Sequence, residues 1–440
     1  MLSTSTQAQE AESTPQKIYD AKSITLPNAM QVVVVENPRT PAVTHMVWYR
    51  VGAADEAIGH SGLAHYLEHL MFKGSKLVPD GDFSQKVKSW GGNDNAFTSW
   101  DFTAYFQTVP KDKLQNVMLM EADRMQHLIF TDEEALTERD VIIQERRQRT
   151  DSNPSAQLSE AMRAALFTNH PYGRPIIGWD QELQLLTPQS ARDFYKKYYA
   201  PQNAILVVSG DVDAKDVFEM AANIYGKIDN GGAAMRSEWP SVPEIYGTVN
   251  IHHEHSNAKQ TLWRKLYRVP SIGQNYNDAM ALTIAAEIIG GNTGKLYERF
   301  VIEDQVASTT SFYYGGINVD DTTVSIGVTP KDNIDVAQLP DMVEGVLTSL
   351  IEGEGITDED VQQAVSKLID ESVYERDSLT GPAMMLGYQL ATGLTLDQAE
   401  TWIHDLNEVD VEDVKGVIEK YLLPESQNYH ALTGMLTPED

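Results

Sequence analysis

Cysteine is absent from all 440 residues. That excludes disulfides, thiolate nucleophiles and cysteine-ligated metals, so any metal site in this chain has to be built from His, Asp and Glu. Basic residues are scarce as well: 34 Lys and Arg stand against 64 Asp and Glu, a formal net charge of −30. Nucleic acid and anionic membranes are poor partners for such a chain, because phosphate binding draws on clustered cations that release counterions. No apolar run approaches the roughly 20 residues that cross a bilayer, so no membrane span is expected. The opening MLSTSTQAQEAESTP has no basic start followed by an apolar core, and no signal peptide is visible. A leader left after signal removal would look the same, which leaves the compartment open between periplasm and cytoplasm.

What is present is ordinary globular composition, 42% hydrophobic and 22% charged, ample for more than one core. Val32 to Val35 and Val43 to Val51 read as strands separated by the Asn37–Pro41 punctuation. Lys111–Met125 and Glu134–Arg149 carry apolar residues at spacings of three and four and read as helices. An internal repeat emerges when Leu183–Gly210 is set beside Leu406–Gly434. Each has a capping residue (Thr187, Asp410), an amphipathic helix, a Lys-Tyr pair (Lys197-Tyr198, Lys420-Tyr421), a proline (Pro201, Pro424) and a β-rich run to glycine. One long unit is used twice. Gly, Pro and Ser cluster in Gly226–Gly247, which marks the boundary. The expected organisation is a flexible leader over 1–20, a first domain over 21–228, a linker over 229–247 and a homologous second domain over 248–440. The fold class is α+β, with mostly antiparallel sheets covered by helices.

The chemistry gathers in HSGLAHYLEHLMFKGS, His60 to Ser75. On a helix His65, Glu68 and His69 stand at i, i+3 and i+4 and project from one face, while Leu63, Leu67 and Leu70 turn away. Two imidazoles one turn apart reach a single metal, and zinc favours such nitrogen ligands. The motif is H-x-x-E-H, whose glutamate is placed to act as general base. It is short, so a third ligand is the necessary check. Glu138 and Glu145, seven positions apart with Val141 and Ile142 between them, are the candidates, since acids on a buried stripe need a partner or a metal. The competing reading of that segment is a solvated face with i, i+4 pairs to arginine.

His65-Tyr66-Leu67-Glu68-His69 followed by Glu145 resembles the inverted-motif zinc peptidase family that includes pitrilysin, insulin-degrading enzyme and the mitochondrial processing peptidase. VTHMVWYRVGAADE, GGNDNAFTSWDFTAYF and ERDVIIQE share in the resemblance, and the duplicated layout extends it across most of the chain. It implies a zinc metalloendopeptidase made of two homologous halves that form half of a clam-shell chamber. His65, His69 and Glu145 would hold one Zn2+, with Glu68 the catalytic base and Glu138 an acid supporting the catalytic site. In GGNDNAFTSWDFTAYFQTV the residues alone read as a strand after a tight turn, most simply an interior one. The resemblance instead implies an edge that holds substrate backbone by strand addition, with Asn95, Ala96 and Phe97 as binding residues.

The family completes its site with an Arg and, seven positions later, a Tyr from a second half. Here Val301 and Ser308 occupy those positions, and Arg299, Tyr313 and Tyr314 do not reproduce the spacing. A homologous partner subunit is therefore expected to supply the pair, in a heterodimer rather than a homodimer. The alternative function is a non-catalytic scaffold or chaperone-like subunit that keeps the fold. Two decoys are set aside. His252, His253 and His255 lack the geometry a metal demands, and GGNTGKL at Gly290–Leu296 is a helix terminated by glycine rather than a phosphate loop.

Overall fold

QVVVVE and AVTHMVWY are β-branched and aromatic, and both runs are buried along almost their whole length, the pattern of strands covered on two faces. In the computed structural model, which describes residues 17–353 and 355–439, they form two strands of a six-stranded sheet. Its members are β1 (Lys22–Thr25), β2 (Gln31–Glu36), β3 (Ala42–Tyr49), β4 (Asn93–Thr98), β5 (Thr103–Pro110) and β6 (Ala204–Gly210), in the order β1-β2-β6-β3-β5-β4. A second sheet contains β7 (Asn250–His255), β8 (Leu262–Val269), β9 (Ala307–Tyr314), β10 (Thr322–Pro330) and β11 (Ala431–Pro438), in the order β7-β11-β8-β10-β9.

Without β1 the two sheets have the same topology. In each, the first and last strands of the repeat pair in parallel (β2 with β6, β7 with β11) and every other pairing is antiparallel. The helices that carry the two Lys-Tyr pairs, Pro188–Tyr198 and Val411–Leu422, lead into the equivalent strands β6 and β11. Between the sheets, 229–247 carries neither helix nor strand. Arg236 pairs with Asp55 at 2.7 Å, and Trp239 packs against His170 and Tyr172. Of the expected leader, residues 1–16 lie outside the described residues. Tyr19 and Ala21 donate their backbone N–H groups to buried Glu400 at 2.7 and 2.6 Å, which ties down the last part of that stretch.

Alternation along the strands divides the apolar residues between two faces. Val32, Val34, Val47 and Leu206 join the helices of their own half, whereas Val33, Val35, Trp48 and Val207 meet Ala383, Leu386 and Leu390. Those last three lie on helix Gly381–Ala391, from the second half. Exchange runs the other way too: Leu158, Met162 and Leu166, on helix Pro154–Leu166 of the first half, pack with Leu432 and Leu436 of β11. Each half lends a helix to the back of the other's sheet. At Gly387 an added Cβ would run into the Trp48 indole, so glycine there permits the close approach.

Candidate metal centre

Helix Leu63–Leu70 begins at Gly62, whose φ of 86° and contact with Ile177 O leave no room for a side chain. The buried carboxyl of Glu56 accepts from the N–H groups of Gly62 (3.1 Å) and Ala64 (2.7 Å), satisfying helix-start donors, while its burial pushes its pKa well up. Leu63, Leu67 and Leu70 are buried in the first core, and the Tyr66 hydroxyl donates to Ala135 O at 2.6 Å. The helix is thereby locked against its neighbour, helix Asp132–Arg146. That helix opens with a capping box in which Thr131 and Glu134 bond reciprocally.

Across this contact Glu145 meets both histidines. Its Oε2 lies 3.8 Å from His65 Nε2 and 3.6 Å from His69 Nε2. Three ligands bound to one zinc at about 2.0–2.1 Å in tetrahedral arrangement would stand about 3.3–3.4 Å apart, so a small inward movement suffices. Glu145 Oε2 is buried with no hydrogen-bond partner among the described residues. A carboxylate oxygen left so and aimed at two imidazole nitrogens fits a cation, and the donor set of two nitrogens and one oxygen suits zinc. Among the described residues His65, His69 and Glu145 form the one group with metal-site spacing.

Electrostatics prepare the donors differently. Burial lowers the His65 pKa to about 3, which keeps its imidazole neutral. Burial would also depress His69, but the bond from its Nδ1 to Glu138 Oε1 at 2.8 Å, with the charges of Glu68, Glu138 and Glu145, leaves it raised. Glu138 is held down to about 2, first by that bond to His69 and then by Lys73 on its other oxygen. A carboxylate on Nδ1 fixes the tautomer and leaves Nε2 as the donor. Glu68 points into the same space, accepts from Thr98 Oγ1 at 2.6 Å, and has its pKa raised by burial.

These side chains line a cavity of about 810 Å³. His65, Glu68, His69, Asn95, Ala96, Phe97 and Glu145 all contribute to its wall; Glu138 lies behind His69 and does not. β4 bonds only to β5 and is the outermost strand, so the interior-strand reading of this segment gives way to a free edge beside the cavity. Sequence reasoning passed over Thr98, Lys73, and Ile176 and Ile177, which with Val141 make the apolar wall. Lys73, four positions after His69, was findable from spacing; Ile176 and Ile177 come from a loop with no such signal. Val301 is half-buried against the second core, and the Ser308 hydroxyl donates to Thr329 O. Arg299 pairs with Asp304, and Tyr314 donates to Pro270 O. Among the described residues the lining falls between 65 and 177, and the second half contributes none of it. His252 and His253 bond to Thr437 and Gln157 and, among the described residues, gather no third ligand.

Two equivalent sheets, with one His/His/Glu group between helices of the first, define a two-repeat scaffold that carries a candidate metal site in its first half. Comparison with known proteins agrees. Residues 31–180 match the family model described as insulinase (peptidase family M16), and residues 185–368 match the one described as the peptidase M16 inactive domain. The zinc protease PqqE of Helicobacter pylori is 32% identical over 341 residues, 76% of this chain and 75% of the relative. A probable mitochondrial-processing peptidase subunit beta of Arabidopsis thaliana is 24% identical over 92% of this chain and 76% of its own. A solved protease structure from Helicobacter pylori superposes with a TM-score of 0.86 at 27% identity, covering 97% of this chain and all of that one. The chain belongs to peptidase family M16. No helix among the described residues is long and apolar enough to cross a membrane.

Proposed function

We propose that the protein is a zinc metalloendopeptidase acting on peptides or unfolded segments, and that it is the zinc-bearing subunit of a pair. The observation that carries this reading is the convergence of His65, His69 and Glu145 on one point, with Glu68 beside it and a free strand edge along the same cavity. A zinc ion held by the three residues would supply Lewis-acid polarisation of the scissile carbonyl and acidify a water. Glu68, its basicity raised by burial and its orientation set by Thr98, takes the proton of the attacking water and returns it to the leaving amine. β4 orients the substrate by main-chain bonds, with Asn95, Ala96 and Phe97 at the contact. Glu138 holds His69, and Lys73 holds Glu138.

Support for a partner comes from what the cavity lacks: among the described residues none of the second half lines it, and Val301 and Ser308 stand at the positions where the family carries its Arg and Tyr. A homologous subunit that brings such a pair would stabilise the oxyanion, a term of several kcal/mol in comparable sites. A scaffold-only role is disfavoured, because donors and base persist together. The deciding experiment measures bound zinc and the cleavage of an internally quenched peptide, with and without chelator and with a candidate partner. Zinc at one per chain and chelator-sensitive cleavage that rises with the partner is expected. A chain that binds no zinc refutes the reading, and high activity from the chain alone refutes the partner.

A further inference from the structure

We propose that Arg149 is a positioning residue for the metal centre: it holds Glu145 by one carboxylate oxygen, so that the other alone faces the metal. The inference rests on the zinc reading above. Arg149 Nη1 lies 2.8 Å from Glu145 Oε1, whereas Oε2, on the opposite side of the same carboxylate, faces the two imidazoles. The two oxygens are thus assigned to different partners before any metal arrives.

An i, i+4 pair at a helix end is ordinarily a minor surface contact. Three observations set this one apart. Glu145 is only 18% exposed, so its carboxylate has few alternatives. Arg149 is 72% exposed yet lines the same cavity as the donors. And the backbone between them leaves the α-helical path: Arg147–Asp151 is a π-helical turn, a form often found at functional sites. Arg146 fixes where that turn begins, with a two-pronged pair to Glu160 at 2.8 Å and a bond to Gly178 O at 2.7 Å. Arg149 is therefore presented from an anchored turn.

The chemical consequence concerns the number of ligand atoms. A carboxylate free on both sides can bind through both oxygens and fill the place that a hydrolytic zinc site keeps for water. With Oε1 engaged by a guanidinium, binding through Oε2 alone is favoured and that place stays open. Outer partners of this kind typically change metal affinity about 10–100-fold when removed.

The test uses the full chain with Arg149→Met and Arg149→Lys. Zinc affinity is read by chelator competition, and ligation by the visible spectrum of the cobalt(II)-substituted protein, which is intense for four-coordinate and weak for five-coordinate metal. Arg149→Met is expected to weaken zinc about 10–100-fold and to shift the spectrum toward five-coordination, with Arg149→Lys recovering most of both. The metal-free proteins should melt together. Unchanged affinity and spectrum in Arg149→Met overturn the proposal, as does an equal loss in both variants accompanied by a lower metal-free melting temperature. If the parent chain binds no zinc, the function proposed above fails first and this inference with it; if the parent binds and Arg149→Met matches it, only this inference fails.

Discussion

Replacing Ala96 by proline removes one N–H from β4 at a point where the register says no ladder bond is lost. The Ser99 N–H donates to Phe102 O at 2.8 Å and closes the β4–β5 hairpin. Counting back along the register, Phe97–Ala104 and Asn95–Phe106 are hydrogen-bonded pairs, and Ala96–Tyr105 between them is not. The Ala96 N–H therefore points away from β5, and Asn95 Oδ1 accepts from it at 2.9 Å. A substrate carbonyl adding to this edge displaces that side chain. One such backbone bond contributes about 0.5–1.5 kcal/mol net. Because an internal bond is exchanged for it, the lower half of that range applies, roughly a two- to fivefold rise in Kd. The assay is fluorescence anisotropy of a labelled unstructured peptide on zinc-loaded Glu68→Gln protein, which separates binding from turnover. Phe97→Pro is the register control. Its N–H belongs to the ladder, so that variant should lose fold stability where Ala96→Pro does not. An unchanged Kd in a stably folded Ala96→Pro protein would refute strand addition on this edge.

Glu68→Gln preserves size and the contact with Thr98 but cannot take a proton. Zinc content should stay at the parent level while peptide turnover with the partner falls about 10²–10⁴-fold, and substantial residual cleavage would remove Glu68 from the role of base. Deep in the first half, Glu121 and Arg124 are 0% and 1% exposed and meet through two bonds of 2.8 and 2.7 Å. Glu121→Leu strands the arginine and should cost about 3–5 kcal/mol in urea denaturation; a loss under about 1 kcal/mol would show that Arg124 is rehydrated or re-paired. Between the halves, His170 lies 3.1 Å from Asp320 and holds its carboxyl below the usual range. A depressed carboxyl stabilises the fold above its unfolded pKa of about 3.9 and loses that contribution as pH falls through the folded value. Asp320→Asn should accordingly flatten the acid limb of stability against pH, and an identical limb would locate acid sensitivity elsewhere.

The donors were legible because a helix converts sequence spacing into a shared face: His65, Glu68 and His69 at i, i+3 and i+4 admit only one arrangement. The repeat was legible for a similar reason, since helix, proline and strand recur in fixed order, and the equivalent places of β6 and β11 follow from it. The edge position of β4 was not legible from residues, because an edge strand and an interior strand alternate alike and the difference lies in which neighbour is missing. The exchange of helices between halves was hidden as well. The apolar run of helix Gly381–Ala391 says that it is buried but not against which sheet. Ile176 and Ile177 reach the cavity through the close contact of Gly178 with Ser61 O, a tertiary event with no local signature.

The repeat supplies an internal control for the meaning of the histidines. In the second half the slot between β8 and β9 is filled by helix Tyr276–Ile289, which packs on Val411–Leu422 as Leu63–Leu70 packs on Pro188–Tyr198. Its buried residues are Ala279, Met280, Ala281, Leu282, Ile284, Ala285, Ile288 and Ile289, an apolar set. The same architecture thus closes without imidazoles or a buried carboxylate in that slot. Keeping His65, Glu68 and His69 there instead means desolvating three polar side chains, an arrangement that disfavours folding unless something compensates. Hydrogen bonds do so in part, since Thr98 meets Glu68 and Glu138 meets His69. They leave Glu145 Oε2 and His65 Nδ1 without partners among the described residues. Of these two atoms Glu145 Oε2 is the one that sits where the imidazoles converge, and a cation held there, as proposed above, would compensate it.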